Sequence, residues 1–348
     1  MEEDIIEALI SLSNSLSSVP SDFEELHLNE VNAGNKLSSY IPRSNSDDTV
    51  RVLTSFVENL SFDGKRILNK FIADSKDDST LYECAINLCT AILIPMKARG
   101  PSSSVTHSPF QESGIDITFE EVASMMIQSS SRRDQPKLKT LCLKRDSYRC
   151  VVTGYFDKSA RGKFSSEMLE GRLMNTELAH IIPFSLEKYG GDEEERNVAR
   201  LWTTLYLFFP DVLKIAEIGP DNVNHLSNAM TMLSAVHDGF GSLNLALEST
   251  EDENTYKVKM YPGFASGLCR DLPTPNANNE RLIKLENHTG FNCHLPSKVL
   301  LNTHVAIARI LHASGKAEDI HNIYQEREKI RSLASDGSTD VRRLLLLG

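Results

Sequence analysis

Metal-assisted hydrolysis needs a base for the attacking water, donors that can hold a cation, and polar groups that keep both in place. Three places in this 348-residue chain supply those residue types: Glu177-Leu178-Ala179-His180-Ile181-Ile182-Pro183, then Asn228, then His237 nine residues further on. An imidazole that is neutral near pH 7 suits a general base, and imidazole and carboxylate both bind divalent cations. An amide donates and accepts at once, which suits it to bracing a loop. Each residue alone has an ordinary structural reading: a lone His before Ile-Ile-Pro fits a core or strand-edge position, and an Asn before an apolar stretch fits a turn or N-cap. The order and the spacing give the three their weight together.

The elements that must position them are short. Thr176 to Ile182 reads as a strand stopped by Pro183. In a strand, residues two apart share a face, so Glu177 lies on the side of Ala179, one pleat back. Tyr148 to Gly154 reads as another short strand ending in a Gly turn, and Asn228 to Leu243 mixes helical and turn signals. The expected arrangement for residues 144 to about 245 is a hairpin-like pair of strands followed by a helix, with His180, Asn228 and His237 converging on one pocket.

Around this centre the chain reads as mostly helical. Residues 1–100 carry apolar positions at helical spacing, as in Ile67, Leu68, Phe71 and Ile72. A Gly/Pro/Ser-rich connector runs from Gly100 to Ser113, and a helix begins at Thr118, its N-cap, and extends to Gln128. The acidic run Asp192 to Glu195 opens a helix containing Leu201, Trp202, Leu205 and Phe208, closed by Pro210; Trp202 reads as core packing rather than a stacking platform for a base. Tyr256 to Tyr261 alternates as a strand does, and 296–315 and 317–333 return to helix. The fold class is α+β, a mostly helical chain with a few short antiparallel strands. Four segments result: 1–99 helical, 100–131 linker and connecting helix, 132–262 central module, 263–348 a mainly helical extension.

Composition narrows the functions. With 40 % hydrophobic residues and 37 Lys+Arg against 48 Asp+Glu, the net charge is −11 and the chain is an ordinary globular one, not a fibre or a disordered chain. Residues 132–172 nevertheless carry eleven Lys/Arg against five Asp/Glu, leaving −17 on the remainder. A local positive patch is enough to engage nucleic-acid phosphates, and Lys144, Arg145 and Arg149 are its candidate contacts. The apolar run Cys84 to Met96 is short for a bilayer span and reads as a buried helix. The opening Met1-Glu2-Glu3-Asp4 lacks the basic region of a secretory signal, so a cytoplasmic or nuclear location is expected rather than secretion. Six cysteines without a C-x-x-C pair read as packing thiols; Cys150, among apolar neighbours, reads as buried and inert rather than nucleophilic.

Cys150-Val151-Val152-Thr153-Gly154, Ala179-His180-Ile181-Ile182-Pro183, and Asn228 with His237 and Phe240 together resemble the HNH endonuclease superfamily. The similarity is to the branch that carries C-x-x-T-G where others have zinc-binding cysteines and A-H-I-x-P on its first strand, a branch common among uncharacterised fungal proteins. It covers about 140 to 262. The resemblance implies a central ββα-metal module and hydrolysis of phosphodiester bonds in DNA or RNA with a divalent metal ion, Mg²⁺ or Mn²⁺ first and Zn²⁺ or Ni²⁺ as further fits. It implies His180 as the general base, His237 as a metal ligand, and Asn228 as the group that braces the loop and orients the base.

One departure bears on activity. Many members place Asp or His immediately before the strand histidine as a second metal ligand, whereas Ala179 binds no cation. Glu177 is the candidate replacement, with Asp238 and His225 in reserve, and Gly241 stands where many relatives carry Asp. A catalytically inactive HNH-like module that binds nucleic acid or protein is the alternative expectation. The N-terminal helices are a candidate surface for a protein partner.

Overall fold

The computed structural model describes residues 2–17, 23–97, 132–183 and 192–323. The expected connector at 100–113, the helix at 118–128 and the end of the last helix beyond 323 lie outside them.

The N-terminal helices form as their apolar spacing dictates. Helix α1 (Glu2–Ser17), α2 (Phe23–Ser39), α3 (Thr49–Asn59) and α4 (Phe62–Asp74) turn stripes such as Val52, Leu53 and Phe56, and Leu68, Phe71 and Ile72, into a common interior. Helix α5 (Asp78–Leu88) starts at Asp77, whose carboxylate accepts from the Thr80 amide at 2.8 Å. It continues through a π-helical segment, Cys89–Leu93, into α6 (Ile94–Lys97). The stretch Asp78–Lys97 is long and apolar enough to cross a membrane by length and composition alone, but half of it is buried inside the fold, with Ala91, Ile92 and Leu93 nearly inaccessible. It packs as a core helix.

The module begins with α7 (Gln135–Arg145). Strands β1 (Phe156–Asp157) and β2 (Leu173–Met174) make a two-residue parallel pair. Strands β3 (Thr176–His180) and β4 (Ala229–Leu233) pair antiparallel in full register, from Thr176 opposite Leu233 to His180 opposite Ala229. Between them runs α8 (Asp192–Phe208), and after them α9 (Ser234–Gly241) follows β4 without a linker. The mixed signals at 228–243 thus resolve into a 3₁₀ turn, a strand and a helix. Strands β5 (Leu245–Ser249), β6 (Thr255–Met260) and β7 (Leu282–Lys284) form an antiparallel sheet, and α10 (Lys298–Ala313) lies on β5 and α3.

One expected strand is absent. Residues 150–154 form a turn, and only an isolated bridge joins Arg149 to Phe156. Val151 donates to Thr231 O (2.9 Å) on β4 and Gly154 to Cys150 O, with Gly154 at φ +73°, a backbone conformation glycine adopts without strain. Tight turning, not extension, satisfies these backbone groups.

Among the described residues one apolar interior joins the segments, running from Leu9 and Phe56 through Ala179, Met230 and Phe240 to Leu300 and Leu311. Trp202, 3 % exposed, belongs to it, and so does Cys150. Two histidines of α10 finish α9: His304 Nε2 meets Phe240 O at 3.1 Å while its ring stacks on Phe240 at 3.9 Å, and His312 Nε2 meets Leu243 O at 3.0 Å. His304 adds a contact at the Phe240 carbonyl, which also accepts from Leu243 N, and His312 reaches the Leu243 carbonyl just past the helix end.

Candidate active site

The β3–β4 pair has two faces. Leu178 and Ala229 pack against Leu138, Leu141 and Cys142 of α7, while Ala179, Met230 and Met232 face the main interior. Glu177, opposite Met232 in the register, is on that second face, as period two requires. Because α9 starts directly at Ser234, its first turn folds back over β3 and brings His237 to Glu177. His237 Nδ1 and Glu177 Oε2 are 2.7 Å apart, each side chain about one-third exposed, at 31 % and 28 %.

That contact fixes the chemistry of both groups. The hydrogen bond from His237 holds the Glu177 carboxyl below its ordinary range, against its partial burial, with Ser234 assisting. A carboxylate only accepts, so His237 donates from Nδ1, which in the neutral ring puts the lone pair on Nε2. Imidazoles that ligate metals commonly have this carboxylate partner on the other nitrogen. The donor set therefore fits a divalent cation that takes the rest of its shell from water and phosphate. Among the described residues no group of three or more His, Cys, Asp or Glu side chains converges to hold a metal by itself.

His180 ends β3, half-buried, with Nε2 3.0 Å from Asn224 Oδ1. The amide oxygen accepts, so this bond selects the tautomer whose lone pair is on Nδ1. Burial, with a smaller push from the neighbouring His237, lowers the ring's pKa to about 4 against the raising effect of Asn224. The imidazole is neutral throughout the physiological range, the form that accepts a proton.

Asn228, fully buried, clamps the backbone just beyond His180. Its Oδ1 accepts from Ile182 N at 2.8 Å, and its Nδ2 donates to Ile182 O at 3.0 Å and Val223 O at 2.8 Å. Three bonds from one amide thus tie the end of β3 to the loop that carries Asn224. The structure thus joins Glu177 to His237, and ties His180 and Asn228 through Asn224 and Ile182 into the loop beyond β3; His237 is near enough to act on the ionisation of His180, although His180, opposite Ala229, stands on the other face of β3 from Glu177. Asn224, fully buried itself, was not singled out from sequence; its four-residue spacing from Asn228 within one loop is the available signal.

Other candidates are placed elsewhere. His225 turns to Ser227, 2.6 Å away, and lies 5.0 Å from the ring of His294. Asp238 is exposed on α9. Ala179 is fully buried, so a carboxylate introduced there would enter the apolar interior rather than a ligand position.

The basic stretch divides into surface and scaffold. Lys144 is exposed and Arg149 half-buried, but Arg145 is not a surface contact. It is 0 % exposed, paired with Asp146 at 2.7 Å, and donates to Leu226 O, Ala229 O and His294 O. Asp146 also accepts from Thr231 N at 2.9 Å. With five donors and no acceptor, a guanidinium can satisfy several strand and loop carbonyls at once, and that use has withdrawn Arg145 from solvent. Lys139 is buried likewise, bonded to Thr176 O.

In comparisons with known proteins, residues 150–248 match the family model described as HNH endonuclease. No curated protein and no solved structure matches the chain.

Proposed function

Because the module at 150–248 belongs to the HNH superfamily and is nuclease-like in type, we propose that the protein is a metal-dependent endonuclease that hydrolyses phosphodiester bonds in nucleic acid. The observation that supports this most is the His237–Glu177 pair, with a neutral, oriented His180 near enough for His237 to act on its ionisation. His180 accepts the proton of the attacking water at Nδ1, while Asn224 holds Nε2 and so the ring's tautomer. Asn228 positions the base by pinning Ile182. His237 and Glu177 would hold the divalent cation; bound there, it would supply charge stabilisation at the phosphate and the leaving oxygen.

Ala179 favours a second reading, an HNH-like module that binds nucleic acid without cutting it. Incubating the purified full chain with plasmid DNA, and separately with structured RNA, in Mg²⁺ or Mn²⁺ decides between them. Cleavage that drops by 10²- to 10⁴-fold in His180→Ala, with an unchanged circular-dichroism spectrum, is expected. Binding without cleavage in every metal assigns the module to the second reading.

A further inference from the structure

A second basic feature lies away from the His180–His237 centre. Arg149, Arg172 and Arg270 line one open cleft of about 440 Å³, together with Thr153, Gly154, Tyr155 and Asp271. They come from separate parts of the chain: Arg149 follows α7, Arg172 precedes β2, and Arg270 ends a 3₁₀ turn, Ser266–Arg270, beyond the matched family region. The cleft shares no lining residue with Glu177, His180 or His237. Its Cys150–Gly154 turn meets β4 through Val151 and Thr231, on the edge of β4 that β3 does not occupy.

Among the described residues no carboxylate forms an ion pair with any of the three guanidiniums. The carboxylate in the lining, Asp271, accepts from the Tyr155 hydroxyl at 3.1 Å. Asp271 raises the Tyr155 pKa while Arg172 and Arg270 act in the opposite direction, so both guanidiniums stand near that hydroxyl. Arg149 lies on the Phe156 ring, its Cζ 4.2 Å from the centroid, and its Nε is buried with no hydrogen-bond partner. Gathered like charges repel. An anion that accepts from these forks relieves that repulsion, and the planar guanidinium matches a phosphate in two-point contact.

We propose that this three-arginine cleft binds a phosphate group. It is that of a nucleic-acid strand, away from the scissile bond, if the nuclease reading holds, and that of a free phosphate compound otherwise; the anion chemistry does not depend on that reading.

The test uses the full chain carrying His180→Ala, which prevents cleavage, with and without Arg172→Gln and Arg270→Gln; both arginines are exposed, so the fold is retained. Binding of a fluorescein-labelled 20-base-pair duplex is followed by anisotropy across a salt series. Loss of two phosphate contacts is expected to flatten the log–log salt slope by about 1 to 2 and to weaken binding roughly tenfold or more at 0.1 M salt. An unchanged slope and affinity would overturn the cleft as a phosphate site while leaving the nuclease reading intact. If the duplex is not bound at all, titration with pyrophosphate takes over. Binding by the unmodified chain that the two substitutions abolish sustains the cleft with a free phosphate compound as its ligand, and absence of pyrophosphate binding overturns it.

Discussion

Two polar networks sit on either side of the same strand pair, and they use the same kinds of residue to opposite ends. Around Arg145 and Asp146 every charge is buried and its donors are taken up by carbonyls of the β4 approach and the C-terminal segment. Around Glu177 and His237 the pair is one-third exposed, and it is joined through Nδ1 of the ring. The first network closes on itself; the second stops one ligand short. Saturation, rather than residue type, separates scaffold from site.

The comparison breaks most visibly at Arg145. Arg145→Met keeps the bulk of the side chain but strands Asp146 in the interior, so unfolding free energy should fall by about 3–5 kcal/mol, measurable by urea denaturation. A loss under 1 kcal/mol would make this network as dispensable as a surface pair. Glu177→Gln should act the other way round: metal affinity by calorimetry falls about 10- to 100-fold while stability stays within about 0.5 kcal/mol. Metal affinity left untouched would remove Glu177 from the centre.

The smallest effect sharpens the contrast through pH. Burial lowers the His304 pKa to about 4, below the ordinary 6.5 that its unfolded form would show. Between those values the unfolded chain binds the proton and the folded chain does not, so stability falls as pH drops from about 6.5 towards 4. His180 and His225 are shifted in the same direction and add to the same window. For His304 alone the loss at pH 5 is about 1–2 kcal/mol, and His304→Gln should flatten the measured dependence by that amount. A curve unchanged by the substitution would show that His304 does not titrate on unfolding.

What could be read from sequence follows from how local each cause is. Period two alone put Glu177 and Ala179 on one face, and the register of β3 on β4 agrees. The acidic opening and Pro210 bracketed α8 because caps and breakers act within a turn. Arg145 misled because a basic residue at a helix end reads as solvated, and only β4 and the His294 segment, far along the chain, reveal the carbonyls that take it in. The turn at 150–154 read as a strand because Val151-Val152 suits either, and its bond to Thr231 is a tertiary fact. The arginine cleft was hidden for the same reason, since nothing near Arg149 or Arg172 announces Arg270.

The two α10 histidines that finish α9 bear on how far this module can travel. A segment cut at the limits of the family match would carry His237 on a helix whose Phe240 carbonyl had lost His304 and whose following turn, at the Leu243 carbonyl, had lost His312, and the ring of Phe240 its stacking partner. A graft into another scaffold, or a minimal fragment for crystallography, therefore has to include residues 297–313 or supply substitutes for them. In this chain the nuclease-like cassette is not a self-contained part.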